Sequence, residues 1–255
     1  MLLTIDVGNT NITLGVYEGE SLRMTGRIAT EIKNTADQYA VELKNVLALK
    51  GVDIETIDGA IIGSVVPAVG AALTGAIQTA CGITPLVLGP GVKTGLNILI
   101  DNPAQLGADL AAGAVAAAAK YPMPCIVFDL GTATTASVLD KNGAMLGGAI
   151  AAGLATTLHA LTSRTASLPG ISIEAPKRVI GSNTVDCMKS GLIYGAAAMI
   201  DGMCDRIEEE LGEAATVIAT GGLSTVVAPL CRRAIICDDE LLLEGLRLIY
   251  ARNRK

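Results

Sequence analysis

The chain of 255 residues is 51% hydrophobic and 17% charged, a composition typical of a folded globular protein with a sizeable core. A formal net charge of −6 and an aromatic content of 2% argue against nucleic-acid binding, which needs a basic surface and usually stacking aromatics. The 6 cysteines lack CxxC spacing and mostly lie in apolar runs, so we expect buried free thiols rather than disulfides or zinc ligands. Met1 leads straight into an apolar strand and no tract is suited to spanning a bilayer, so we expect a cytoplasmic protein without signal peptide or membrane segment.

The first part of the chain predicts strands and helices in a mixed order. The stretch "LLTIDVGNTNITLGVYEGESLRMTGRIAT" predicts three strands joined by tight turns. Apolar residues at helical spacing follow in "TADQYAVELKNVLALKG", "IDGAIIGSVV" predicts a buried strand, and Pro67 opens the next helix. "PLVLGPG" predicts a strand that ends in a glycine turn, and the alanine-rich "ADLAAGAVAAAAK" predicts a helix with Asp109 at its start.

The pattern then begins again. "PCIVFDLGTATTASVLDKNGAMLGGAI" predicts strand, turn, strand, hairpin turn and strand, in the order found at the start of the chain. "NTVDCMKSGLIYGAAAMIDGMCDRIEEEL" and "DDELLLEGLRLIYARNR" predict helices, with the strand "ATVIATGG" between them. We therefore predict an internal duplication, with one α/β half over residues 1–121 and a second over residues 122–255, each a mixed sheet flanked by helices.

Two turns at strand ends have the composition of phosphate-binding turns. Asp6 precedes "VGNTN" and Asp129 precedes "LGTATT". Glycine lets backbone N–H groups approach a phosphate, threonine and asparagine supply neutral donors, and Asp6 could hold Mg²⁺ directly or through water. One such turn alone is better explained as an ordinary hairpin, but the presence of two favours binding of one polyphosphate between them.

The remaining motifs limit the kinds of nucleotide site and catalytic residue that the sequence supports. The glycines of "VIATGG" leave room for a ring or ribose, although an ordinary strand-to-helix turn has the same signature. The sequence has no P-loop motif and no GxGxxG after a strand. The sole histidine, His159, lies in a helix-like run and is better explained by packing or surface exposure than by catalysis. Asp109 has two interpretations, a carboxylate that favours the positive end of a helix or a proton acceptor facing a substrate.

Eight blocks of sequence together resemble the type III pantothenate kinases, in family order from Leu3 to Asn253. They are "DVGNTN", "GPGVKTGLNI", "DNPAQLGAD", "DLGTATT", "SRTASLP", "IGSNTVDCMKSGLIYG", "VIATGGLS" and "LIYARN". The resemblance implies two similar actin-like (ribonuclease H-like) halves with a nucleotide cleft between them. It also implies ATP-dependent phosphorylation of pantothenate to 4′-phosphopantothenate, the first step of coenzyme A biosynthesis, by a homodimer that requires Mg²⁺ and a monovalent cation, K⁺ or NH₄⁺.

The resemblance also implies roles for individual residues. Asp109 would be the proton acceptor, Asp129 would hold the monovalent cation, and Asp6 would hold Mg²⁺ through phosphates or water. The implied substrate-binding residues are Gly107, Ala108, Asp109, Leu110 and Thr184. The implied ATP-binding residues are Asp6, Val7, Gly8, Asn9, Thr10, Asn11, Ile12, Thr13 and Thr132.

The sequence departs from the family at the acceptor side. Leu110 stands where the family usually has arginine, and a leucine cannot donate to a carboxylate or phosphate. Lys93 or Arg164 are the candidates to replace its charge. Three hypotheses remain open: a pantothenate kinase with a modified acceptor pocket, a kinase for another small hydroxyl compound, and a catalytically impaired nucleotide-binding paralogue with a regulatory role.

Overall fold

Ten strands form two five-stranded mixed sheets in the computed structural model, which describes residues 1–254. The strands are β1 (Leu2–Val7), β2 (Asn11–Glu18), β3 (Ser21–Ala29), β4 (Gly59–Ser64), β5 (Leu86–Val87), β6 (Cys125–Leu130), β7 (Ala133–Leu139), β8 (Met145–Ala152), β9 (Thr216–Thr220) and β10 (Ile236–Cys237). The helices are α1 (Ala36–Leu49), α2 (Pro67–Cys81), α3 (Ala108–Lys120), α4 (Leu154–Arg164), α5 (Thr184–Leu211), α6 (Ser224–Val227) and α7 (Leu241–Asn253). Three short 3₁₀ turns complete the regular structure of these residues.

The two sheets have the same topology. The first has the order β3-β2-β1-β4-β5, and the second, read from its opposite edge, has the order β8-β7-β6-β9-β10. In each, two antiparallel hairpins precede two strands that pair in parallel. A break in register recurs at the equivalent place, after Val16 in β2 and after Val138 in β7. The repeated bulge and strand order support the predicted duplication.

Local sequence explains where the helices of the first unit begin and end. Thr35 caps α1, because its hydroxyl accepts from the Gln38 amide at 3.3 Å while the Gln38 side chain accepts from the Thr35 amide at 2.8 Å. Pro67 opens α2, where its missing N–H is not needed, and Gly82 ends that helix at φ +70°. Both helix starts were predicted from the sequence and are confirmed.

The first sheet is covered by helices on both faces. Aliphatic side chains of one face pack with α1 and α2 around Tyr39 and Leu43. On the other face, Ile61 packs with Val115 of α3 and Leu246 of α7. In the second sheet, one face packs its aliphatic residues against α4, α5 and α6. These burials explain the aliphatic, aromatic-poor composition.

The chain divides into two compact units. The first contains residues Met1–Leu96, Asp101–Ala116 and the C-terminal segment from Glu240, and the second contains Asn97–Ile100 and Ala117–Asp239. These units differ from the predicted division at residue 121, because residues 97–100 and 117–121 belong to the second unit and α7 joins the first. It does so by packing against β1 and β4, with Gly245 lying so close to Ala112 of α3 that a Cβ atom there would overlap the Ala112 carbonyl.

Strand β5 and the cysteines differ in part from the predictions. The strand predicted in "PLVLGPG" is reduced to Leu86–Val87. The six cysteines are all free thiols, but only Cys125 and Cys204 are buried as expected. Cys81 and Cys231 are partly buried, and Cys187 and Cys237 are exposed. Among residues 1–254, no helix combines the length and apolar character needed to cross a membrane.

Candidate active site

The turn after Asp6 is held by hydrogen bonds to its backbone. The Gly8 amide donates to the Asn11 carbonyl at 3.0 Å, and the Thr30 hydroxyl donates to the Gly8 carbonyl at 2.7 Å. The Thr30 amide donates to the Thr10 carbonyl at 3.0 Å. The end of the neighbouring strand β3 therefore fixes the shape of the turn.

The predicted ATP-binding residues of this turn divide into two groups. Asn9, Thr10 and Asn11 are exposed, whereas Val7 and Ile12 are buried and pair with each other across the hairpin. Asp6 pairs with Thr13 in the same hairpin, and both are partly buried. Only the backbone of the two buried aliphatic residues is thus available to a ligand; their side chains anchor the turn in the core.

The turn after Asp129 repeats this design with one residue fewer. The Gly131 amide donates to the Ala133 carbonyl at 3.0 Å. The Thr132 carbonyl accepts from the Gly153 amide at 3.1 Å and from the Thr156 hydroxyl at 2.8 Å, and the Thr132 side chain is exposed. The segment from the end of β8 into α4 thereby holds the backbone of Thr132 in place.

Gly221 approaches the carboxylate of Asp129 closely. It has φ +88°, and a Cβ atom there would overlap Asp129 Oδ1 and lie 2.8 Å from the backbone nitrogen and carbonyl carbon of Leu130. Only glycine fits this backbone and this space. The sequence suggested that this glycine leaves room for a ring or ribose. In the structure, glycine is required here because a side chain would overlap Asp129 and Leu130.

Asp109 lies in the first turn of α3, as predicted. Its Oδ1 accepts from the Leu110 amide at 2.8 Å, and a side chain at Gly107 would overlap that oxygen. Burial raises the pKa of the Asp109 carboxyl, and the amides of Leu110 and of Asp109 itself only partly oppose this rise. Desolvation is therefore a larger influence on this pKa than the two amides.

The other acceptor-side residues lie in different places. Ala108 and Leu110 are partly buried beside Asp109 at the start of α3. Lys93 and Arg164, the candidate replacements for the missing arginine, have exposed side chains. Lys93 is held through its backbone, whose amide donates to Asn253 Oδ1 at 3.1 Å and whose carbonyl accepts from Asn253 Nδ2 at 2.8 Å.

Thr184 is the first residue of α5 and lines a cavity of about 670 Å³. Asn183 caps this helix, because its Oδ1 accepts from the Asp186 amide at 2.9 Å. A cavity of this size is in the range that holds small metabolites. It is lined by Thr157, Leu158, Leu161, Leu168, Gly181, Ser182, Asn183, Thr184, Cys187, Met188, Gly191 and Leu192.

His159 lies on α4 with its side chain exposed, in agreement with a surface histidine.

The predicted site residues fall into both units. The Asp6 turn and the Gly107–Leu110 segment belong to the first, and Asp129, Thr132 and Thr184 belong to the second. Sequence reasoning missed Thr135 and Thr220, which pair with Asp129 from the two neighbouring strands. Their place in "DLGTATT" and "VIATGG" was visible, but the register that aligns them was not.

The repeated sheet topology is shared with a solved structure and identifies the fold. The structure resembles that of a Sinorhizobium meliloti protein described as a putative 2-dehydro-3-deoxygalactonokinase, with a TM-score of 0.60 and 14% identity. The likeness covers 99% of this chain and 97% of the other. The fold is thus the α/β fold of actin-like sugar kinases, two mixed sheets flanked by helices, as predicted.

Sequence comparison then gives the family. The model of type III pantothenate kinase matches residues 2–206. A type III pantothenate kinase of Moorella thermoacetica is 44% identical over 253 residues, which cover 99% of this chain and 100% of the relative. One from Pelobacter propionicus is 44% identical over 258 residues and 100% of both chains. The chain belongs to the type III pantothenate kinase family.

Proposed function

We propose that this protein transfers the γ-phosphoryl group of ATP to the 4′-hydroxyl of pantothenate, the first step of coenzyme A biosynthesis. The observation that carries the proposal is the match to pantothenate kinases along the whole chain, together with the Asp109 carboxylate at the start of α3. A binding protein without catalysis would not need a partly buried carboxylate whose pKa is raised by desolvation.

Asp109 is the proposed proton acceptor. As the oxygen of the pantothenate hydroxyl forms its bond to the γ-phosphorus and the bond to ADP breaks, the hydroxyl proton passes to the Asp109 carboxylate. Burial raises the pKa of this carboxyl, which makes the carboxylate a better proton acceptor. The amide of Leu110 holds Oδ1 and so orients the carboxylate.

The two strand-end turns are the proposed phosphate-binding elements. The exposed residues Asn9, Thr10, Asn11 and Thr132 carry neutral hydrogen-bonding groups, and Gly8 offers its backbone. Phosphoryl transfer depends on alignment and charge neutralisation, which suits donors on rigid hairpins.

The donors present fit Mg²⁺ carried by the nucleotide and a monovalent cation. In the described part of the chain, no three histidine, cysteine or carboxylate side chains form a metal-binding group. Asp6 as a single carboxylate suits Mg²⁺ that is held mostly by phosphates and water. Asp129, a single carboxylate between threonine-bearing strands, is the proposed ligand of K⁺ or NH₄⁺. When bound, these cations would neutralise phosphate charge.

A homodimer in the cytoplasm is also proposed. The family resemblance supports the dimer, as do the exposed apolar side chains of Val179 and Ile180, which are 62% and 86% exposed. The six free thiols are consistent with a reducing compartment.

A second candidate is a kinase of the same mechanism with another small hydroxyl acceptor. Leu110 favours it, because an apolar side chain beside Asp109 offers no donor to the carboxylate of pantothenate.

ADP release by the purified protein, with ATP, Mg²⁺ and K⁺, tests the proposal. We expect release that depends on pantothenate and exceeds the rate with glycerol or glucose as acceptor. ATP binding without pantothenate-dependent release would contradict it, and release with another hydroxyl compound alone would favour the second candidate.

A further inference from the structure

Three oxygen-bearing side chains form a row across the second sheet. Asp129 at the end of β6 pairs with Thr220 of β9 on one side and with Thr135 of β7 on the other. Residues in register on adjacent strands point to the same face, with the strands about 4.8 Å apart. The hydroxyls of both threonines are thus carried by direct neighbours of the Asp129 carboxylate.

Thr135 is the member of this row whose oxygen is unexplained. Its Oγ1 is buried, and within residues 1–254 it has no hydrogen-bond partner. Buried hydroxyl groups are nearly always paired, because removing one from water without a partner is unfavourable. Such an oxygen can be satisfied by binding a cation.

The neighbour Thr134 provides a contrast. Its Oγ1 is also buried and unpartnered in the described residues. It lies on the opposite face of β7, the face on which Leu130 and Ala136 pack into the hydrophobic core with α5. No carboxylate lies beside it in β6, since its partner there is Leu130.

The carboxylate of Asp129 lies close against two glycines. Gly221 admits no Cβ because one would overlap Asp129 Oδ1, and a Cβ at Gly131 would lie 3.5 Å from the same oxygen. One carboxylate with neutral oxygens suits a weakly hydrated monovalent cation, which exchanges its water for uncharged oxygens. It suits Mg²⁺ less well, because Mg²⁺ demands octahedral geometry and gives up water reluctantly.

We propose that Thr135 Oγ1 binds, together with Asp129, the monovalent cation of this enzyme. The inference rests on the proposed function for the identity of the cation, and it adds a neutral ligand that tunes affinity and selectivity. Loss of the hydroxyl should weaken K⁺ binding about tenfold or more, the usual effect of removing a supporting group at a metal site.

The test compares Thr135→Val, Thr135→Ser and the matched control Thr134→Val. In each, the midpoint of the K⁺-dependent rise in Tm is measured with ADP and Mg²⁺ present and no turnover, at constant ionic strength set with tetramethylammonium chloride. K⁺ activation of ADP release is measured alongside. We expect a midpoint at least about tenfold higher for Thr135→Val, and little change for Thr135→Ser and Thr134→Val.

An unchanged midpoint in Thr135→Val would overturn the inference, as would equal shifts in Thr135→Val and Thr134→Val or a wild-type protein that does not respond to K⁺. If Thr135→Val does not fold, Thr135→Ala removes the same oxygen. A protein that shows the K⁺-dependent shift without phosphorylating pantothenate would overturn the proposed function and leave the cation site standing.

Discussion

Asp109 combines features that a purely structural carboxylate would avoid. It is partly buried, its pKa is raised by desolvation, and Gly107 leaves space for its Oδ1. An exposed carboxylate at a helix start would gain the same favourable interaction with the dipole without losing its water. The position therefore costs stability, which is typical of a group held for chemistry.

Asp109→Asn should abolish pantothenate-dependent ADP release and leave ATP affinity nearly unchanged. The loss should be about 10²-fold or more, because an amide cannot accept the hydroxyl proton. Tm at neutral pH should not fall, since the variant no longer buries a charge. Asp101→Asn, at an exposed residue nearby, is the control for both measurements. Persistent turnover would remove Asp109 from the role of base.

Acid pH should suppress activity through Asp109. The carboxylate is the active form, so kcat/KM should fall as pH decreases through a pKa above the ordinary 3.8 of aspartate. A folded-state pKa that is raised contributes stability below the unfolded pKa, and this stability is lost as pH rises through the folded pKa. The wild type should therefore lose stability relative to Asp109→Asn as pH rises through the folded pKa, so the Tm of the variant minus that of the wild type should increase. A difference that shrinks would contradict the direction of the pKa shift.

Leu110→Arg should lower KM for pantothenate. A guanidinium beside Asp109 could donate to the pantothenate carboxylate, and one charged hydrogen bond corresponds to about tenfold or more in affinity. Leu110→Met keeps the apolar character and should leave KM unchanged. Steady-state kinetics at saturating ATP provide the measurement. The same KM in Leu110→Arg would show that residue 110 does not contact the acceptor.

Helix α7 is the element whose position the sequence did not predict. The helical spacing of its apolar residues was clear, but this spacing does not indicate which sheet the helix covers. The structure gives Gly245 as the reason, since only glycine lets α7 lie against the Ala112 carbonyl of α3. On the other side, Arg247 pairs with Glu244 and lies over the Tyr17 ring at 5.8 Å. These contacts tie the end of the chain to β2 and to the helix that carries Asp109.

Gly245→Ala should destabilise the protein by about 1–3 kcal/mol, the usual cost of overpacking a close contact. Gly195→Ala is a matched helical control, because no atom lies within 4 Å of a Cβ at that position of α5. It should be neutral or stabilise by up to about 1 kcal/mol. Denaturant unfolding of both variants measures the free energies. Equal values for the two would show that the approach of α7 to α3 is not tight.

The local elements were predictable where the signal was local. Hydrophobic runs and turn residues indicated the strands around Asp6 and Asp129, and Pro67 marked the start of α2. Features that depend on register or on distant neighbours were missed, such as the alignment of Thr135 with Asp129 and the packing role of Gly221. Family motifs identified candidate residues, but burial, which raises the pKa of Asp109, exists only in the folded chain.

Across the whole chain, the two sheets repeat one topology, including the bulge after Val16 and after Val138. We propose that residues 1–121 and 122–255 descend from one duplicated unit. In this proposal α7 follows β10 as α3 follows β5, but it packs with the first unit, which explains why the two compact units do not follow the sequence repeat. Each copy contributes one aspartate at a strand end, and only the first continues into the helix with Asp109.

The most direct test of the central claim is the identity of the phosphorylated product. Purified protein is incubated with ATP, Mg²⁺, K⁺ and pantothenate, and the product is analysed by ³¹P–¹H correlation NMR. We predict a new phosphate monoester coupled to the CH₂ protons of the primary alcohol, which identifies 4′-phosphopantothenate. A phosphate released to water, or no new phosphate ester on pantothenate, would contradict the account.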